Sequence, residues 1–152
     1  MKTNKMNKVL IALDYDLTAK KVAEVGYSLA ESMNAETILL HVISELPVYY
    51  SESNYTHVYK DEMLGDLNKT TQAFLDKTKK QLGNDAVQTV LKEGEIADTI
   101  LKTAKEMHVD IIVMGSHNRK WLESMFLGSE SEDLLENSQI PVLIVPVKKK
   151  ED

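Results

Sequence analysis

A doubly wound α/β fold with a five-stranded parallel sheet is what this chain of 152 residues predicts. Three observations carry that prediction. Short continuous apolar runs rich in branched residues recur along the chain, as in strands buried on both faces. Segments with apolar residues at helical spacing lie between them. Asp, Asn and Gly stand at the joints, where the chain must change direction. Five strands alternating with four helices need right-handed crossovers, so helices cover both faces of the sheet. The length suits a single domain, residues 1–152, with a sizeable core.

The first strand is Lys8 to Leu13, closed by Asp14. Thr18 is the expected N-cap of a helix running through Met33, with Val22, Gly26, Leu29, Ala30 and Met33 facing the sheet. Thr37 to Ile43 is the second buried strand. Ser44 to Lys60 holds Pro47 and four tyrosines without a clear period, and is expected to be a long loop. The helical pattern resumes from Asp61 to Leu82 and stops at Gly83-Asn84, residues that tolerate the left-handed cap conformation. Ala86 to Leu91 alternates partly and reads as an edge or near-edge strand. Gly94 turns the chain into a helix from Ile96 to Met107, and Val109 to Met114 is the fourth strand. A short helix is expected from Ser129 to Asn137, then a last strand from Val142 to Val147 and a charged tail.

Composition excludes several function classes. The net charge of −6 argues against a nucleic-acid or anionic-membrane partner, which needs a basic footprint. The absence of cysteine removes disulfides, thiolate metal sites and a cysteine nucleophile. The apolar stretch behind the basic start is too short for a secretory signal, and no run approaches a membrane span. A cytoplasmic location is the expectation.

The chemistry concentrates between Asp110 and Ser131. An apolar run, Ile111 to Met114, ends at Gly115, a polar loop follows, and Gly128 opens the expected helix through Ser129, Glu130 and Ser131. Glycine lets a ligand approach the backbone, and the free N–H groups of a helix start attract phosphate. Gly115 and Gly128-Ser129 stand at the spacing Gly-x2-Gly-x9-Gly-[Ser/Thr]. On this motif the chain resembles the universal stress protein family, and the resemblance extends to Lys8 to Asp14, Thr37 to Ile43 and Ile140 to Val147. Asn118 replaces the middle glycine, and Ala12 stands where many relatives have proline.

The resemblance implies a Rossmann-like sheet of order 3-2-1-4-5 and an ATP site, AMP and ADP being the other adenine nucleotides to consider, with Mg2+ accompanying the phosphates. It places Ala12, Asp14, Val42, Met114, Gly115, His117, Asn118, Arg119, Gly128, Ser129, Glu130 and Ser131 around the nucleotide. It also implies a homodimer joined through Val142 to Val147, acting as a sensor or regulator in the stress response. An apolar edge strand there would need a cover in any case.

Each site residue also has a plainer reading. If the middle motif position needs positive φ, asparagine serves at a cost of about 1 kcal/mol; if it needs bare backbone, the side chain blocks it. The Asn118 amide can also donate to a phosphate oxygen. Ser129 with Glu132 fits a capping box, and Glu130 repels polyphosphate unless a cation intervenes. Asp14 can hold a ribose hydroxyl or water-bound Mg2+, or simply cap a turn. Arg119 and Lys120 are cations of the loop or ordinary surface. His41 reads as a satisfied core histidine. His117 has no serine–carboxylate arrangement or metal-ligand spacing around it in the sequence. No residue stands out as a general base or nucleophile. A dimeric interaction module without nucleotide and a slow ATPase or nucleotidyl-processing enzyme are the alternative functions.

Overall fold

The computed structural model describes residues 5–44, 54–117 and 140–148. Strand β1, Lys8–Ala12, occupies the centre of the sheet. It pairs in parallel with β2, Glu36–Ile43, on one side and with β4, Ile111–Gly115, on the other. Strand β3, Gln88–Glu93, lies outside β2, and β5, Val142–Val145, lies outside β4. The order is β3-β2-β1-β4-β5 and every pairing is parallel. This is the Rossmann-like arrangement expected, with Ile11 opposite both Leu39 and Val113 at its centre.

The central strands are apolar at consecutive positions because both faces are covered. Val9, Ile11 and Leu13 belong to one core with Val22, Ala23 and Ala30 of helix α1, Ala19–Ser32, and Leu75 of helix α2, Asn54–Leu82. Leu10 and Ala12 point to the opposite face and pack with Ala97, Ile100 and Ala104 of helix α3, Ile96–Glu106. Alternate side chains of a pleated strand leave on opposite sides, so one run of sequence feeds two cores. Burying each leucine or isoleucine stabilises the fold by about 1.5 to 3 kcal/mol.

Several boundaries differ from the sequence reading, each for a local reason. Helix α2 begins at Asn54, inside the stretch expected to be loop. No glycine or proline interrupts residues 51–64, so the helix extends upstream once its later turns are formed, despite the missing apolar period. Strand β3 starts two residues later than expected, because Asn84 holds the chain in a turn: its Oδ1 accepts from Ala86 N at 2.9 Å and its carbonyl from Val87 N at 3.2 Å. Gly83 closes α2 with φ +73°, the left-handed conformation expected of it. Helix α3 is capped by Glu95, whose carboxylate accepts from Ala97 N and Asp98 N at 3.2 and 2.7 Å. The expected helix from Ser129 to Asn137 lies outside the described residues.

Candidate functional site at the strand switch

Beyond its last ladder residue, β1 is held for two more bonds. Leu13 N donates to Leu40 O at 2.8 Å, and the Leu13 carbonyl accepts from Nδ1 of His41 at 2.8 Å. A carbonyl can only accept, so this contact places a proton on His41 Nδ1. The His41 ring is buried and meets Phe74 edge-on, with centroids 6.1 Å apart. It is the satisfied core histidine of the sequence reading, and its work is to pin the end of β1.

The chain then leaves the sheet through a tight turn. Asp16 N donates to the Asp14 carbonyl at 3.0 Å, and Tyr15 N to Asp14 Oδ1 at 3.0 Å. Asp16 Oδ1 accepts from Thr18 N at 2.8 Å and from the Thr18 hydroxyl. Thr18 therefore takes the N-cap position of α1 as expected, but does not cap the helix with its side chain. It sits in the right-handed region, and its side chain makes no capping bond because the hydroxyl is spent on Asp16. The Asp–x–Thr turn before a helix was the available signal for Asp16.

Across the sheet, β4 ends at Gly115. Ser116 N donates to Val145 O at 2.9 Å, and Ser116 Oγ donates to Val147 O at 3.2 Å while accepting from Val147 N at 3.0 Å. These bonds extend the β4–β5 pairing past the last ladder residue. His117 then folds its ring back over Gly115. A Cβ on Gly115 would lie 2.7 Å from His117 Nδ1, 2.8 Å from Cε1 and 3.1 Å from Val147 Cγ2. Gly115 does not have the left-handed φ that favours glycine. Its small size is needed because a ring occupies the space a side chain would take.

That ring carries the site. His117 Nε2 stands 3.5 Å from Asp14 Oδ2, 3.3 Å from Asp16 Oδ2 and 3.2 Å from Thr18 Oγ1. Its side chain is 6% exposed, against 37% for Asp14 and 25% for Asp16. The Thr18 hydroxyl already donates to Asp16, so it can only accept from the histidine. Nε2 thus faces three oxygens with one hydrogen to share. Nδ1 is buried and has no hydrogen-bond partner among the described residues.

The position of this cluster follows from topology. Strand order reverses between β1 and β4, and a doubly wound sheet opens a crevice beyond the carboxyl ends of its strands at such a point. Asp14 ends one neighbour and Gly115 to His117 end the other. Ala12 and Met114, also expected at the site, are fully buried on these two strands, and Val42 is buried near the end of β2. Their side chains are core, so only their backbone groups face the crevice end. Asn118, Arg119, Gly128, Ser129, Glu130 and Ser131 lie outside the described residues. Asp16 and Thr18 were missed by the sequence reading, and His117, credited there with no ligand spacing, meets carboxylates about a hundred residues away in sequence.

With the fold and this cluster in view, comparison with known proteins places the chain in a class. Residues 5–146 match the universal stress protein family, and the chain belongs to that family. It is 34% identical over 145 residues to universal stress protein YxiE of Bacillus subtilis (strain 168), covering 91% of this chain and 98% of that protein. Among solved structures, it is similar to the hypothetical protein MJ0577, with a TM-score of 0.67, 27% identity, and 97% and 100% of the two chains covered. It also shares its fold with a universal stress protein solved in complex with cAMP, at a TM-score of 0.62 and 21% identity over 93% and 98% of the chains.

Proposed function

We propose that this protein binds an adenine nucleotide, ATP in the first instance and AMP or ADP as the other candidates, at the crevice between β1 and β4. The observation that carries the reading is the meeting of Asp14 with the Gly115–His117 turn at the strand switch, where the Gly115 to Gly128-Ser129 motif begins. In this reading backbone groups at Ala12, Val42 and Met114 border the base. Asp14 holds a ribose hydroxyl or a water of Mg2+. Asn118, Arg119 and residues 128–131 surround the phosphates.

The chain, read as one domain throughout, pairs with a second copy through β5, and the dimer acts in the cytoplasm as a nucleotide-dependent regulator or sensor of stress. The apolar edge supports the dimer: β5 is a terminal strand of the sheet, and Ile144 on it is 36% exposed. An uncovered edge of this kind invites pairing. No described helix is long and apolar enough to cross a membrane.

Purified protein, denatured and analysed by mass spectrometry, is expected to release an adenine nucleotide. Mg-ATP at about a hundred times its dissociation constant should raise Tm by about 5 to 10 °C, and Asp14→Ala should remove most of that rise. An absent nucleotide together with an unmoved Tm would overturn the reading.

A second reading has an observation of its own. The His117 ring fills the space above Gly115 and engages Asp14, so a ligand that uses either group must displace it. An interaction dimer without nucleotide fits that closed arrangement. Unchanged Tm with ATP, in a protein that remains dimeric by sedimentation, is the outcome this reading expects.

A further inference from the structure

We infer that His117 is a positioning residue: its Nε2–H ties the end of β4 to the turn before α1 and sets the Asp14 carboxylate toward the crevice, without itself touching a ligand. The role rests on the nucleotide reading for its ligand, and adds to it a residue that acts through Asp14.

The hydrogen on Nε2 follows from its neighbours. The Thr18 hydroxyl gives its hydrogen to Asp16 Oδ1, so it offers His117 only lone pairs. The carboxylate oxygens of Asp14 and Asp16 are acceptors as well. A ring nitrogen that faces acceptors alone must be the donor. The hydroxyl, at 3.2 Å, is the nearest of them and takes the hydrogen. At 3.5 and 3.3 Å the carboxylates lie beyond a good charge-assisted bond, about 2.7 to 2.9 Å, and meet the N–H dipole at longer range. Nδ1 points the other way, toward Gly115, where a Cβ would come within 2.7 Å of it. The ring can take this place only above a residue that has no side chain.

Two successive residues are thereby anchored in different directions. Ser116 reaches outward to β5 and its continuation, through its N to Val145 O and its Oγ to both backbone groups of Val147. His117 reaches across to the turn before α1, where Thr18 N also holds Asp16 Oδ1 at 2.8 Å. The point at which the chain leaves β4 is fixed from both sides, and the motif that begins at Gly115 starts from a set position.

Asp14 gains its orientation from the same tie. Tyr15 N holds its Oδ1 at 3.0 Å, while Oδ2 faces His117. The Asp14 side chain nevertheless stays 37% exposed with the ring in place, against 6% for His117. An accessible carboxylate is backed by a buried donor. Such a group binds with its conformation already chosen, which reduces the cost of ordering it on binding. Burial of the ring gives His117 the part of support, and leaves contact to Asp14.

The tie is measurable without nucleotide. In long-range proton–nitrogen NMR correlations on the full chain, His117 Nε2 should carry the hydrogen. In His117→Ala the Asp14 carboxyl carbon signal should shift. ATP affinity, read from Tm against ATP concentration, then tests the consequence. His117→Ala should weaken it by about threefold to tenfold. His117→Gln, whose amide N–H can replace the Nε2 donor, should restore most of the loss. In an Asp14→Ala background the change of His117 to alanine should cost almost nothing further, because the two residues act as one unit. Circular dichroism checks that each variant is folded.

A hydrogen-free Nε2, or an Asp14 signal that ignores His117→Ala, would overturn the role. So would ATP binding that is unchanged or tighter in folded His117→Ala, which would make the ring an obstacle. A loss that persists in full in the Asp14→Ala background would show that His117 acts by another route. If the wild-type chain binds no ATP, the nucleotide reading falls, and the tie is decided by the two NMR signals.

Discussion

The two ends of the sheet are built on the same side-chain chemistry and closed to different degrees. At the amino end, Oδ2 of Asp110 accepts from Asn7 N at 2.7 Å and from Lys8 N at 2.9 Å. Asp110 N donates back to the Lys8 carbonyl at 3.0 Å, and Lys8 Nζ donates to Met107 O at 3.1 Å. One carboxylate there meets two donors at ideal length. At the carboxyl end, two carboxylates and a hydroxyl share one imidazole N–H at 3.2 to 3.5 Å, and the other ring nitrogen is unpartnered among the described residues. The amino end is satisfied by its own backbone. The carboxyl end gathers an imidazole, two carboxylates and a hydroxyl at longer range, with His117 Nδ1 unpartnered among the described residues. Both lie at the ends of the same two strands, β1 and β4, so the difference arises in the turns.

Substitutions can break this contrast. The largest effect is expected from Gly115→Ala, where the new methyl group must push aside the His117 ring and Val147. Overpacking of that kind costs about 1 to 3 kcal/mol, and it should also separate His117 from the carboxylates and weaken binding at the carboxyl end. Chemical denaturation and ligand titration on the same variant measure both losses. A variant as stable as wild type would mean that the ring has room to move and that Gly115 serves a different purpose.

A smaller effect is expected from Asp110→Ala, about 1 to 2 kcal/mol, since water can replace the carboxylate at the exposed Asn7 N–H. Its ligand response should match wild type, so a reduced ATP response would show the two ends to be coupled. Ser116→Ala should cost least, about 1 kcal/mol or less, through the loss of its two bonds to Val147. Sedimentation should show whether loosening the β5 side also loosens the proposed dimer.

These experiments also separate what was legible in the sequence from what was not. The Ile111 to Met114 run ending at Gly115 was readable, because a strand buried on both faces must be apolar and must stop where backbone is exposed. His41 was readable as core for the same reason. Helix α2 was read too short, because cooperativity extends a helix through residues that show no apolar period of their own. At the site, Asp14 and Gly115 were visible as strand ends. The partnership of Asp16 and Thr18 with His117 was not, since nothing local to either segment marks the other.

The apolar rhythm alone therefore determined a layered parallel sheet and the general place of its loops. Family motifs then supplied the strand order, which the folded chain bears out. Only the tertiary structure decided that His117 turns back over Gly115 and aims at Asp14 and Asp16. The reason is distance along the chain: 103 residues separate Asp14 from His117. Hydrophobic periodicity records which face each strand buries, and carries no information on which polar side chains meet once β1 and β4 lie side by side.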